Sequence, residues 1–449
     1  MQKLKAMPLL ILVGTVHLAP IQFSPAAATV DPAALPPGDP EVGAILAQPQ
    51  ISLSDLFRLA ELTNPALAAA RTGVQAQAGR VKQVGLYPNP ELTLGFEEMF
   101  LANPDIHKRR VELMQPLIIG KRRGAALDAA RASLASADQQ LNQARREARR
   151  RVHQLWANQL YFQEAEAALA ELLDVANSSL EIARTRFDAR AAPESQVTKA
   201  MLEVYELEVV QQQLAQDRVR GSAEFAAFFG EVSVPLDRLA GSLDPALDPD
   251  HDAESAAQIL QANADTLVGT HPAYRSARLQ VAAAEAALRA AKAERIPDLN
   301  LSFAYGNFEP INENYIEAAI SLPLPLFDRN QGRVAETESR VAQTEYQARI
   351  VENNLLVALA AAQQRHQMMH EQLAVVTDRI VPAAERGLDQ AQEAYRVGRL
   401  MFLELVDAQR TYTDVRMRTL ELRRELALAE ADLMSLLGAG PYADPGEAR

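Results

Sequence analysis

The stretch Pro90-Glu91-Leu92-Thr93-Leu94-Gly95-Phe96 returns, residue class for residue class, as Pro297-Asp298-Leu299-Asn300-Leu301-Ser302-Phe303, an offset of 207 positions. The same offset carries Asn64-Pro65 onto His271-Pro272 and Gln115-Pro116-Leu117 onto Leu322-Pro323-Leu324. With one inserted residue it also carries Phe228-Phe229-Gly230 onto Leu436-Leu437-Gly438. Self-similarity sustained at one period marks a single unit written twice in tandem. Each copy reads as a shorter helix, a strand pair, a very long helix, a turn and a second long helix.

Within the quoted stretches, Leu92, Leu94 and Phe96 alternate with Thr93, Gly95 and Glu97, and Leu299, Leu301, Phe303 and Tyr305 alternate with Asn300, Ser302, Ala304 and Gly306. A period of two is that of a strand with one apolar face. Returning strands continue it with Val111 and Leu113, then with Ile316, Ala318, Ile320 and Leu322. The strand pairs are expected at about 91–118 and 298–322.

Downstream of the first pair no Gly or Pro interrupts Ala125 to Ala192, a stretch that as one helix reaches about 100 Å at 1.5 Å per residue. Apolar residues from Leu127 through Val152 and Leu169 to Phe187 recur near the coiled-coil period, predicting one narrow stripe against neighbouring helices. Gln331 to Val397 parallels this stretch, with Pro382 and Gly387 expected to bend or loosen it.

Two readings compete for the strands: a small soluble sheet covered by helix, or a lipid-facing wall whose other side is wet. Both pairs are flanked by helices too long to fold back as a cover, which favours the wall. In hydrocarbon an open sheet edge leaves backbone groups unpaired, and bacterial barrels begin at about 8 strands. Four strands per chain therefore require several copies.

The N-terminus carries Lys3 and Lys5 ahead of the apolar run Met7 to Val13, with Ala26, Ala27 and Ala28 beyond, the pattern of a cleaved secretory signal at 1–28. Five prolines between Asp31 and Gln50 predict an extended arm over 29–50. The first repeat is placed at 51–240, a linker at 241–264, the second repeat at 265–438 and a tail at 439–449. No later stretch offers the roughly 20 unbroken apolar residues of a spanning helix. Absence of cysteine removes disulfides, thiolate metal sites and a lipidated N-terminal cysteine. A net charge of −13 disfavours a nucleic-acid partner. The basic cluster Arg145, Arg146, Arg149, Arg150 and Arg151 reads as a solvated or salt-bridged helix face, and Trp156 and Phe162 as packing residues.

Asn64-Pro65-Ala66-Leu67, Gly85-Leu86-Tyr87-Pro88-Asn89-Pro90, Gln115-Pro116-Leu117, Tyr395-Arg396-Val397-Gly398 and Leu405-Val406-Asp407-Ala408-Gln409 together resemble the TolC-type outer-membrane factors, from about Ser52 to Gly438. Pro323-Leu324-Pro325-Leu326-Phe327-Asp328-Arg329-Asn330-Gln331-Gly332 and the Pro-Asn-Pro element at Pro88–Pro90 resemble its CzcC-like heavy-metal efflux branch. The resemblance implies a mainly α fold with a small β part. It further implies a homotrimer forming a twelve-stranded outer-membrane β-barrel on a periplasmic α-helical barrel. Its implied partners are outer-membrane lipid, a periplasmic adaptor (membrane fusion protein) and an inner-membrane resistance-nodulation-division pump. The function so implied is a passive exit duct for heavy-metal cations. The alternatives are a duct for organic compounds or drugs and a soluble periplasmic coiled-coil adaptor.

The turns near Arg190–Pro193 and Gly398–Met401 are expected at the periplasmic tip, where Arg190, Gly398, Arg399 and Leu400 are candidate adaptor contacts. Glu404 and Asp407, three apart, share one helix face, and Gln196 and Lys199 are their first-copy counterparts. An isolated Glu and Asp at this spacing is usually a solvated face. Their place just after the turn, resembling the acidic gate of the family, favours a constriction that repels anions and concentrates cations. The lipid-facing candidates are Leu92, Leu94, Phe96, Leu299, Leu301 and Phe303. His366, Met369 and His370 have a spacing able to hold a transition metal, but such residues in mid-helix more often pack or face solvent. No resident metal is expected. No cofactor or catalytic array is expected either, and the chain reads as no enzyme.

Overall fold

The computed structural model describes residues 40–97, 108–230, 232–243, 264–308, 313–438 and 442. The segment expected to be a signal, most of the expected linker and most of the expected tail lie outside them. All that follows concerns the unit Pro40–Arg449.

The first copy runs α1 (Pro40–Leu46), α2 (Leu53–Thr63), α3 (Pro65–Val84), β1 (Glu91–Glu97), β2 (Lys108–Leu117), α4 (Arg122–Asp188) and α5 (Glu194–Phe229). The second runs α6 (Ala264–Thr270), α7 (Pro272–Ala293), β3 (Leu299–Phe308), β4 (Glu313–Ser321), α8 (Gln331–Val375), a π turn (Val376–Ile380), α9 (Val381–Arg396) and α10 (Phe402–Leu437). The fold is mainly α with one small sheet and is built twice over. Asn64 and His271 show the duplication at atomic level. Asn64 Oδ1 accepts the amides of Ala66 and Leu67 at 2.9 and 3.1 Å, and His271 Nδ1 accepts that of Ala273 at 3.2 Å. Each caps a helix whose first residue is proline, where the missing N–H costs nothing.

Three expectations are corrected. The arm over 29–50 is helical at Pro40–Leu46, because its first proline takes the opening position and the six residues after it contain none. In the second long helix the loosening expected at Pro382 is present, as a π turn over Val376–Ile380 in which the Val381 amide reaches the Val376 carbonyl, but the one expected at Gly387 is not. Gly387 interrupts nothing and lies inside α9. The narrow stripe holds only toward the ends of α4. Between Val152 and Phe162 the helix is buried on all but the face of the half-buried Gln154 and Asn158, with Leu155, Ala157 and Leu160 joined by His153, Trp156 and Gln159.

That buried girdle is the main core. Ile51, Leu56, Phe57 and Leu59 from the N-terminal side, Phe225 and Phe229 from the end of α5, and Leu433 and Tyr442 from the C-terminal side converge on α4. Tyr442 shares a 2.9 Å hydrogen bond with His153 Nδ1, and burial pushes its hydroxyl well above its ordinary pKa. Trp156 Nε1 donates to the Ala240 carbonyl at 3.0 Å, and its ring lies where Gly241 passes with φ +122°. A Cβ on Gly241 would meet the ring at 2.3 Å. Gly241→Ala is accordingly expected to cost about 2–4 kcal/mol from strain and overpacking together. A lower urea midpoint of the detergent-solubilised protein would show it, whereas Gly43→Ala, at an exposed position inside α1, should not lower the midpoint.

The basic cluster is salt-bridged rather than solvated. Arg149 reaches Glu61 at 3.3 Å, Arg150 reaches Asp432 at 2.9 Å and Arg151 reaches Glu224 at 3.0 Å. Arg146 is buried, its guanidinium close against Gly438, which ends α10 with φ +67°. A cation suits the carbonyl end of a helix.

Candidate functional site

The four strands form one antiparallel sheet in the order β1-β2-β3-β4, so the two copies meet at β2 and β3. Leu92 pairs with Leu113, which pairs with Phe303, which pairs with Ala318. Leu94, Val111, Tyr305 and Ile316 make the next row. A period of two thus stacks the apolar residues of all four strands on one face, where most are exposed: Leu94 by 70%, Phe303 by 53%, Ile316 by 69%. Leu301 is likewise exposed, Leu299 is half-buried, and the side chain of Phe96 lies outside the described residues.

The opposite face is polar. Arg110 pairs with Glu112 along its own strand and stands 4.0 Å from Glu317 on β4. Tyr315 lays its ring over Gly306, where a Cβ would lie 2.4 Å from it. Among the described residues the outer edges, β1 and β4, have no strand beside them.

At the far end of the helices, the two interhelix turns are built alike. In the first, the Arg190 and Ala191 amides donate to the Phe187 and Arg186 carbonyls at 2.8 Å each. In the second, Gly398 and Arg399 donate to Tyr395 and Ala394 at 3.0 and 2.8 Å. Both are Schellman closures that need one left-handed residue, Arg190 with φ 54° in one copy and Gly398 with φ 77° in the other.

Leu180, Ala183, Val204, Tyr395, Phe402 and Leu405 join the two hairpins in a separate tip core. The Tyr395 hydroxyl donates to Gln196 Oε1 at 2.9 Å, and Arg186 lies 4.5 Å over its ring while donating to its carbonyl. Burial raises the Tyr395 pKa, and Arg186 opposes the rise. Glu404, Asp407, Lys199, Arg190, Gly398 and Arg399 are exposed, Leu400 is half-buried, and Gln196 is drawn into the contact between hairpins. In the sequence Tyr395 stands out only as part of the Tyr395–Gly398 motif, and Arg186 does not stand out at all. The available signal was an aromatic three residues before the turn glycine.

On α8, Met369 packs against Leu373, Leu422 and Leu426, while His366 is half-buried and His370 exposed. Among the described residues no group of three or more His, Asp or Glu is placed to hold a metal ion. No described helix is long and apolar enough to cross a membrane.

A sheet bare on its apolar face, open at both edges and carried on paired long helices defines a class: one segment of a membrane-spanning β-wall, standing on a helical stem. The chain belongs to the outer membrane efflux protein family, whose model matches residues 56–231 and 264–439, one match per copy. It is 24% identical to the cobalt-zinc-cadmium resistance protein CzcC of Cupriavidus metallidurans over 399 residues, 86% of this chain and 90% of the relative. Among solved structures it is similar to the outer-membrane channel OprN (TM-score 0.73, 19% identity, 87% of this chain and 90% of that one). CusC gives a TM-score of 0.74 at 17% identity, covering 88% and 94%. VceC of Vibrio cholerae gives 0.69 at 20% identity, covering 86% and 96%.

Proposed function

We propose that three copies of this chain form the passive outer-membrane exit duct of a tripartite metal-cation efflux system. The sheet carries the reading. Its exposed apolar face is unfavourable in water, and its β1 and β4 edges, unpaired within one copy, are unfavourable in lipid until copies join edge to edge. Three copies give twelve strands, well within the range of bacterial barrels. The rows through Leu92, Leu94, Phe96, Leu299, Leu301 and Phe303 would face lipid, and the Arg110 face would line the water-filled bore.

The tip would meet a periplasmic adaptor through Arg190, Gly398, Arg399 and Leu400, with an inner-membrane resistance-nodulation-division pump supplying the energy. Glu404 and Asp407 would line the constriction, beside Lys199 and Gln196. Metal cations are favoured as cargo by the cobalt-zinc-cadmium resistance relative, which matches nearly end to end. His366, Met369 and His370 are not part of this reading, because a conduit gains little from tight binding.

Deleting the protein from its host tests the cargo. Sensitivity to Zn, Cd or Co is expected to rise at least several-fold in minimal inhibitory concentration, with organic toxicants unaffected. Heightened sensitivity to organic compounds alone would assign the duct to them instead.

A further inference from the structure

The four connectors between sheet and helices carry an apolar belt that the fold leaves bare. Leu86 and Tyr87 lead from α3 into β1, Leu117 and Ile119 from β2 toward α4, and Ile296 from α7 into β3, all of them exposed. The connector from β4 to α8 goes furthest. Every residue from Leu322 to Arg329 is exposed, Leu324 by 73% and Phe327 by 92%.

This last connector is held out by its own backbone. Pro323 and Pro325 fix φ at two of its positions. The Leu326 amide donates to the Leu324 carbonyl at 2.9 Å, closing a tight turn around Pro325. Beyond the turn, Asp328 accepts the Asn330 amide at 2.9 Å, and Asn330 donates to the Ala291 carbonyl at 2.7 Å, which ties the segment to α7. Leu324, Leu326 and Phe327 therefore project from a fixed support, and covering them costs little ordering.

Cations follow the belt in one order. Lys121 stands two residues past Ile119 toward α4, Arg329 two past Phe327 toward α8, and Arg295 one before Ile296 toward α7. In sequence each lies on the helix side of its apolar neighbour, and all three are exposed. On the remaining connector, Arg123 lies 4.0 Å over the Tyr87 ring. The nearby carboxylates are already engaged: Asp298 by Arg122 at 2.6 Å, Glu294 by Arg333 at 3.3 Å, and Asp328 by the Asn330 amide. Among the described residues, Lys121, Arg295 and Arg329 enter no ion pair.

Apolar first and cationic next, going from sheet to helices, is the order of acyl chains and phosphates across one lipid leaflet. We infer that this belt binds anionic glycerophospholipid of the periplasmic leaflet, with Leu324, Leu326 and Phe327 among the acyl chains and Lys121, Arg295 and Arg329 on the headgroup phosphates. The inference rests on the membrane-wall reading above and adds a lipid class and the residues that select it. A second copy of the chain is the poorer occupant, because Leu117, Ile119 and Ile296 belong to the two central connectors, away from the free edges of the sheet. The belt also continues the apolar rows. Leu117 pairs with Leu299 at the end of β2, and Leu322 follows Ile316, Ala318 and Ile320 in the same alternation.

Phe327→Trp tests the contact. The full chain is reconstituted into vesicles of equal parts phosphatidylglycerol and phosphatidylethanolamine in which one or the other lipid is brominated, since bromine quenches an indole that touches it. Exposed Phe327 tolerates the larger ring, and Trp156, the sole native tryptophan, is buried in the girdle and supplies an unquenched background. The added tryptophan is expected to be quenched, with phosphatidylglycerol beside it about fivefold more often than phosphatidylethanolamine at low salt, the equivalent of one cation near the headgroups. With Lys121→Gln, Arg295→Gln and Arg329→Gln added together, quenching is expected to persist and the preference to fall to unity. Equal quenching by the two lipids, or a preference that survives the triple substitution, overturns the proposal. Leu94→Trp, on the bare face of the sheet, separates it from the reading beneath it. Quenching at position 94 without quenching at 327 overturns the belt and leaves the membrane wall standing. Quenching at neither position removes the membrane wall as well.

Discussion

Phe303→Arg is expected to abolish assembly in the outer membrane, whereas Ser302→Arg, one residue away, is expected to assemble normally. Phe303 lies mid-strand on β3 between Leu113 and Ala318, in the exposed apolar row proposed to face hydrocarbon. Arginine near the bilayer midplane of a barrel costs roughly 2–4 kcal/mol per copy, and a ring carries the substitution three times. Ser302 pairs with Met114 and Ala319 on the opposite face, where an arginine projects into water. Flotation of outer membranes and recovery of detergent-resistant oligomers give the measurement. Equal assembly of the two variants would mean that this face never meets lipid.

Replacing both Glu404 and Asp407 by Ala is expected to raise single-channel conductance in planar bilayers and weaken block by a trivalent cation on the order of tenfold. Both residues are exposed at the start of α10, immediately beyond the Gly398 turn, and in the proposed trimer they would bring six carboxylates to one level. Anionic groups gathered in a constriction raise local cation concentration by roughly 10-fold or more at low salt, and that gain disappears with them. The first-copy positions argue against a fully acidic ring: Lys199 is cationic, and Gln196 is already engaged by Tyr395. Glu404→Ala and Asp407→Ala singly should therefore each show part of the effect. Unchanged conductance and block in the double variant would remove these residues from the gate.

Much of this was legible before any coordinates. The 207-residue duplication names the same cap twice, at Asn64 and His271, because a helix begun by proline needs an acceptor just ahead of it. The strands were legible because alternation at Leu92, Leu94 and Phe96 allows no other period. Prediction failed where long-range partners override local pattern. Gly387, expected with Pro382 to bend or loosen the helix, lies undisturbed inside α9, whereas the loosening at Pro382 is present as a π turn. Arg146 looks like a surface cation in any window of its own helix, and it is buried because Gly438, nearly three hundred residues on, brings a helix end against it.

By itself, the chain determined everything that depends on near neighbours: two repeats, four half-apolar strands, two turns between long helices, and the lack of a spanning helix or thiol chemistry. These follow from side-chain period, turn residues and composition, which act over a few positions. Only the tertiary structure decided which strands lie at the sheet's edges, and that Tyr395 ties one hairpin to the other through Gln196 and Arg186. Those outcomes depend on which distant surfaces bury one another, and a burial free energy is a property of the pair.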